Sequence, residues 1–178
     1  GSTSKVIDAR ALGCDVVIDK STEDLWMKAK EASPDGYSTI MDANGVSTLN
    51  ASYDHLAPSG RLVVFGFHSN LPIGSAMLSP LEWLRMAGRV AAMPKFDAMD
   101  LTVSNKSVLG FNLSFFADEV EVLSDMFDQI LTWIEGGKLQ CPRVCEMAME
   151  NVAEAHAFIQ SGKSSGKIVL KTAAAWTI

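Results

Sequence analysis

The sequence predicts an α/β protein on a doubly wound parallel sheet, and three observations carry that expectation. Asp15-Val16-Val17-Ile18-Asp19 and Arg61-Leu62-Val63-Val64-Phe65-Gly66 are nearly continuous β-branched and apolar runs, the pattern of strands covered on both faces. Helical periodicity fills the intervals between such runs, which makes successive βαβ units. Glycine and proline mark the boundaries at Gly13, Pro34-Asp35-Gly36, Pro58-Ser59-Gly60 and Gly136-Gly137.

In chain order, Val6 to Leu12 form a short helix behind Ser4, with Gly13 as its C-cap glycine. Asp15 to Asp19 is the first strand. Ser21 caps a helix that runs to about Ala32 and closes at Pro34-Asp35-Gly36. Tyr37 to Asp42 is a strand, Val46 to Leu56 a helix, Pro58-Ser59-Gly60 a turn and Arg61 to Gly66 a strand. An irregular stretch from Phe67 to Gly74 leads to a Met-, Leu- and Trp-rich helix from Ser79 to Ala91, stopped by Pro94. Lys106 to Leu113 is another strand. Val120, Leu123, Phe127, Ile130, Leu131 and Ile134 recur at helical spacing, so Asp118 to Glu135 is an amphipathic helix. Cys141 to Met147 is a strand-like connector. Asn151-Val152-Ala153-Glu154 has capping-box spacing and opens a helix to Ile159, and Lys167 to Lys171 is the last strand.

Composition narrows the function. The 178 residues carry 15 Lys and Arg against 21 Asp and Glu, a net charge of −6, with 48% hydrophobic residues. No Lys/Arg cluster marks a nucleic-acid or anionic-membrane footprint. No apolar run approaches the ~18 residues of a transmembrane span. Cys14, Cys141 and Cys145 contain no CxxC pair, which argues against a disulfide framework or a four-cysteine zinc site. Sparse cysteines fit a reducing compartment, and a cytoplasmic protein is expected, with peripheral membrane or organellar association left open. The chain does not begin with Met and has no basic-then-apolar targeting pattern, so we expect either a removed end or a piece of something longer.

Catalytic constellations are few. His55, His68 and His156 are scattered, with no carboxylate or cysteine at ligand spacing and no HExxH or GxSxG motif, so no metal site is expected and no catalytic residue is assigned. In open α/β sheets, ligands bind outside the carboxyl ends of the strands. That rule selects three loops: Asp42-Ala43-Asn44-Gly45, Gly66-Phe67-His68-Ser69 and Gly110-Phe111-Asn112-Leu113. Small residues there let a ligand reach the backbone, although glycine also simply ends strands.

Gly1-Ser2-Thr3-Ser4-Lys5 is a further candidate. If Gly1 closes a strand and a helix begins near Ser4, amides, three hydroxyls and an ammonium converge on one anion-sized volume. An acid at this point of a dinucleotide fold holds a ribose 2′-hydroxyl, whereas a cation accommodates a 2′-phosphate. Lys5 therefore points to NADP rather than NAD; the plain alternative is a solvated lysine at a polar helix start.

Glu150-Asn151-Val152-Ala153-Glu154-Ala155-His156-Ala157-Phe158-Ile159, followed by Ser165-Gly166-Lys167-Ile168-Val169-Leu170, resembles the C-terminal signature of the medium-chain dehydrogenase/reductase superfamily. The zinc-independent quinone oxidoreductases are the branch it is most similar to, and within them the homologues of vesicle amine transport protein. Ala11-Leu12-Gly13-Cys14-Asp15, Met41-Asp42-Ala43, Pro58 to Gly66, Leu81-Glu82-Trp83, Asn105 to Leu113 and the Leu139 to Val144 connector agree in order and spacing. The resemblance implies an NADPH-binding, Rossmann-like domain and hydride transfer to quinones or enones without zinc. It places Ser2, Thr3, Ser4 and Lys5 at the adenosine 2′-phosphate, and Asp42, Ala43, Asn44 and Gly45 along the adenosine and ribose. Gly66, Phe67, His68 and Ser69 would lie along the nicotinamide half, Phe111, Asn112 and Leu113 at the carboxamide, and Lys167 near the cofactor.

The family's first βαβ unit, with its glycine-rich pyrophosphate turn, and its N-terminal domain have no counterpart in these residues. The expected organisation is a partial NADP-binding domain over 1–138, a C-terminal return segment over 139–171 that packs toward the missing domain, and a tail over 172–178. In a sheet ordered 3-2-1-4-5-6, Asp15 to Asp19 would be strand 3 and Tyr37 to Asp42 strand 4, leaving two central positions empty. Expected partners are therefore a missing N-terminal half or companion chain, together with a second copy joined through the edge strand Lys106 to Leu113. The alternative reading is a non-catalytic subunit that keeps the fold as a structural or interaction element.

Overall fold

The structure is a computed structural model that describes residues 3–67 and 79–172. It divides into two compact units, one of Asp24–Asp118 and one of Gly1–Glu23 with Glu119–Ile178.

The first unit is a parallel sheet of β1 (Tyr37–Asp42), β2 (Leu56–Val64) and β3 (Ser107–Gly110), in that spatial order. Helix α3 (Leu49–Asp54) connects β1 to β2, and α4 (Pro80–Ala91) and α5 (Ala98–Ser104) lie between β2 and β3 in the chain. Sequential order is what the 4-5-6 half of a doubly wound sheet requires. Ile40 pairs with Leu62, and Leu62 with Val108, so Leu62 stands mid-sheet at 0% exposure. Leu49, Leu56 and Leu62 form the core, with Ile40, Tyr53, Val64, Met93, Phe96 and Val108 packed on it. Preceding the sheet is α2 (Leu25–Ala32), tied to β1 by the Tyr37 hydroxyl, which donates to the Ala29 carbonyl at 2.8 Å. His55 is a packing residue: its ring stacks at 4.9 Å on Trp26.

In the second unit, α1 (Thr3–Ala11) and α6 (Val120–Glu135) accompany a βαβ element of β4 (Val144–Ala148), α7 (Val152–Gln160) and β5 (Lys167–Lys171). Strands β4 and β5 are parallel, with Val144 opposite Lys167 and Ala148 opposite Lys171. Gly166 has φ +77, and a Cβ there would lie 2.0 Å from the Arg143 carbonyl oxygen, so only glycine lets β5 enter beside β4. The Ser165 hydroxyl donates to the Asp8 carboxylate, which ties α1 to the start of β5.

Several expectations are corrected. Asp15 to Asp19 forms no strand, and Val16 is 59% exposed: an apolar run signals a wish for burial, but a strand needs a neighbour's backbone, and no described residue supplies one. The cap of α2 is Asp24, whose carboxylate accepts from the Met27 N–H at 2.8 Å, while Ser21 donates to Asp19 one turn earlier. Asn151 makes no capping bond, because a 3-10 turn at Met149–Asn151 gives it a helix-like backbone (φ −93, ψ 21). The helix expected over Val46 to Leu56 is confined to α3, since Leu56 already belongs to β2. The strand expected over Lys106 to Leu113 is confined to β3. Pro58-Ser59-Gly60 does turn, as an excursion extruded from β2: Tyr37 pairs with Leu56, and Thr39 next with Arg61. Helix α5 was not foreseen; its signal was Asp97, whose carboxylate accepts from the Met99 and Asp100 N–H groups.

Candidate functional site at the carboxyl edge of the sheet

The three strands end together. The Phe65 N–H donates to the Asp42 carbonyl and the Phe111 N–H to the Val64 carbonyl, both at 3.0 Å, so the ladder continues past the strands and aligns their exit loops. Three of the loops selected from sequence thus meet along one edge.

At the end of β1 the Asp42 side chain is turned inward, 3% exposed. Its Oδ1 accepts from the Asn44 and Gly45 N–H groups at 2.8 and 3.1 Å, and its Oδ2 from the Thr48 and Ser52 hydroxyls at 2.7 and 2.8 Å. Burial pushes this carboxyl up, but the hydrogen bonds from Thr48, Gly45, Ser52 and Asn44 outweigh it and hold the pKa below the ordinary aspartate value. The carboxylate is saturated by the protein. What Asp42 contributes is the shape of the Ala43-Asn44-Gly45 loop rather than a free acceptor.

The loops after β1 and β2 lie against each other. A Cβ on Gly66 would sit 2.9 Å from the Ala43 carbonyl oxygen. Beyond β2 and β3 a cavity of about 570 Å³ opens, lined by Val64, Phe67, Gly110, Phe111, Asn112, Phe115 and Phe116. Phe111 and Phe116 tilt together with ring centroids 6.0 Å apart. Asn112 caps the following 3-10 turn (Leu113–Phe115), its Oδ1 accepting from the Ser114 N–H at 3.0 Å, and its amide is the polar side chain among the aromatic ones. A Cβ on Gly110 would meet nothing within 4 Å, so the β3 backbone is open to the cavity.

The structure therefore brings Asp42, Ala43, Asn44, Gly45, Gly66, Phe67, Phe111, Asn112 and Leu113 to one sheet edge. Lys5, in α1, and Lys167, at the start of β5, belong to the other unit. Ser2, His68, Ser69 and the side chains of Thr3 and Ser4 lie outside the described residues. Val64, Phe115 and Phe116, which also line the cavity, were missed; the signal for the last two was an adjacent aromatic pair just past a strand. Among the described residues no group of three or more His, Cys, Asp or Glu could hold a metal, and no helix is long and apolar enough to cross a membrane.

A family profile described as zinc-binding dehydrogenase matches residues 12–170. The synaptic vesicle membrane protein VAT-1 homolog of Rattus norvegicus is 30% identical over 156 residues, which are 86% of this chain and 37% of that protein. A quinone oxidoreductase structure from Pseudomonas syringae superposes with a TM-score of 0.67 at 24% identity, over 95% of this chain and 46% of that one. The structure of CurA from Vibrio vulnificus in complex with NADPH superposes with a TM-score of 0.67 at 21% identity, over 97% and 47%. The chain spans less than half the length of each of these proteins. With the profile covering nearly all of it, the chain belongs to the zinc-binding dehydrogenase family of the medium-chain dehydrogenase/reductase superfamily.

Proposed function

We propose that this chain is the cofactor-side portion of an NADPH-dependent, zinc-independent reductase of quinones or enones. The observation that carries the reading is the aromatic cavity at the carboxyl edge of β1-β2-β3, where a doubly wound sheet takes its ligand. The open backbone at Gly110 supports room for a flat ring against β3.

The aligned exits of β1, β2 and β3 and the aromatic cavity beside them support a nicotinamide dinucleotide as the ligand. Ser2, Thr3, Ser4 and Lys5 would hold the adenosine 2′-phosphate, the Asp42 to Gly45 loop the adenosine half, Phe67, His68 and Ser69 the nicotinamide half, and Phe111 to Leu113 its carboxamide, with Lys167 nearby. When bound, the dinucleotide supplies the hydride. The chain's own part is to orient the ring, through the amide of Asn112 and the backbone after β3, and to keep water away with Phe67, Phe111, Phe115 and Phe116. Among the described residues no group of three or more His, Cys, Asp or Glu could hold zinc. This reading extends to a longer protein with a second wall to the cleft, paired with a second copy through β3, in a reducing compartment such as the cytoplasm.

Fluorescence titration of NADPH and NADH, followed by turnover with a simple quinone in the natural full-length protein, tests the proposal. Saturable NADPH binding with quinone-dependent oxidation is expected. Absence of NADPH binding overturns it. Binding without turnover of any quinone or enone would favour a non-catalytic subunit.

A further inference from the structure

We infer that Phe115 is the stacking platform for the electron acceptor and selects flat, uncharged ring systems, quinones, over open-chain enones. The inference rests on the function proposed above and narrows its substrate class. Seven residues line the aromatic cavity, and none of their side chains is ionisable. A charged group that sheds its water to enter finds no partner there, so the chemistry favours an uncharged occupant.

The cavity walls differ in how far the protein itself covers them. Val64 and Phe116 are half-buried, Phe67 and Phe111 are 42% and 46% exposed, and Phe115 is 89% exposed. Phe111 and Phe116 are tied down: the Phe111 N–H donates to the Val64 carbonyl at 3.0 Å, and the two rings tilt together. Among the described residues the Phe115 ring pairs with no other ring.

Its backbone is nonetheless held. The Phe115 N–H donates to the Asn112 carbonyl at 3.1 Å, and the Asn112 side chain closes the same turn on the Ser114 N–H. A phenyl ring carried on a fixed turn, with its surface in water, can be covered by a ligand without any loop having to order first. The nicotinamide position proposed above lies against β3 at Gly110, which leaves the solvent side of the cavity, and with it Phe115, to the acceptor. A flat ring covers a phenyl face in an offset stack, whereas an open chain covers little of it.

Steady-state turnover by the natural full-length protein at saturating NADPH, with a naphthoquinone and with but-3-en-2-one, is the test. Phe115→Ala should raise KM for the naphthoquinone about tenfold at nearly unchanged kcat, while the constants for the enone stay within about twofold. Phe115→Trp, which widens the platform, should lower the quinone KM. Because the side chain is exposed, neither change should alter the fold or the NADPH affinity measured by titration. A readout without turnover comes from the same Trp variant with NADP+ in place of NADPH: naphthoquinone should quench its emission saturably, beyond the quenching seen in the unsubstituted protein. Unchanged quinone KM in Phe115→Ala, equal losses for quinone and enone, or no added quenching in Phe115→Trp overturns the inference alone. Failure of the unsubstituted protein to bind NADPH or to reduce a quinone overturns the proposed function and this inference with it.

Discussion

Gly45 and Phe67 are locked to each other: a Cβ added to Gly45 would fall 2.8 Å from Cδ1 of the Phe67 ring, and Gly45 itself has φ +90. The exit loops of β1 and β2 are therefore seated on one another through a bare α-carbon. Gly45→Ala should cost roughly 1 to 3 kcal/mol from the backbone alone and should push Phe67 out of the aromatic cavity. Urea denaturation reads the first effect and NADPH titration the second. A variant of unchanged midpoint and unchanged affinity would show that the loops do not need this contact.

Asp42 predicts a pH dependence. Its carboxyl titrates below the ordinary aspartate value in the folded state, so it contributes stability that is present above the unfolded value of ~4 and is lost as pH falls through the folded value. Asp42→Asn keeps the shape but replaces one acceptor with a donor and removes the charge, so the Thr48 and Ser52 hydroxyls and the Asn44 and Gly45 N–H groups lose the carboxylate they share. A loss of about 1 to 3 kcal/mol is expected near neutral pH. The acid limb of the stability profile, followed by urea midpoints from about pH 7 down to about pH 3, should be shallower in the variant. Identical acid limbs would remove Asp42 from the account.

Lys5→Ala should weaken NADPH by a charge-assisted contact, on the order of 1.5 to 3 kcal/mol, with NADH nearly unchanged. Parallel titrations of both dinucleotides decide it. Equal losses would mean that the lysine does not read the 2′-phosphate.

Pairing of copies through β3 predicts that Val108→Pro breaks an oligomer. Because Val108 also packs on the core, Leu109→Lys is the cleaner variant, placing charge on an exposed side chain of the same edge. Light scattering should show a smaller species for Leu109→Lys at unchanged thermal stability. No change in mass for either variant would eliminate β3 as the joint.

Amide exchange should separate the strands. Leu62 and Val63, bonded between two neighbours, should exchange slowest, and Asp15 to Asp19, outside any ladder, fastest. Met41 is 68% exposed on a strand with one partner. Slow exchange at Asp15 to Asp19 would mean that this run pairs after all.

Sequence alone determined the strands whose signal is local. Tyr37–Asp42 and Lys167–Lys171 appear where their β-branched runs and flanking turns predicted them, and the paired parts of β2 and β3 fall inside their predicted spans. It also determined which loops would share an edge, because in a parallel sheet every strand points the same way and every exit lies at one end. Other features were decided only by tertiary structure, and each depends on a partner far along the chain. Val16-Val17-Ile18 has the composition of a strand, and no backbone among the described residues pairs with it. Asp42 resembles a ligand-facing carboxylate until Thr48 and Ser52 close over it from α3 and the turn before it. Phe115 and Phe116 became cavity walls because a 3-10 turn carried them back toward Phe67 and Val64. Backbone propensity and hydropathy report what a segment prefers; hydrogen-bond partners and cavity walls are settled by which distant residues arrive, and that information is held in the packing.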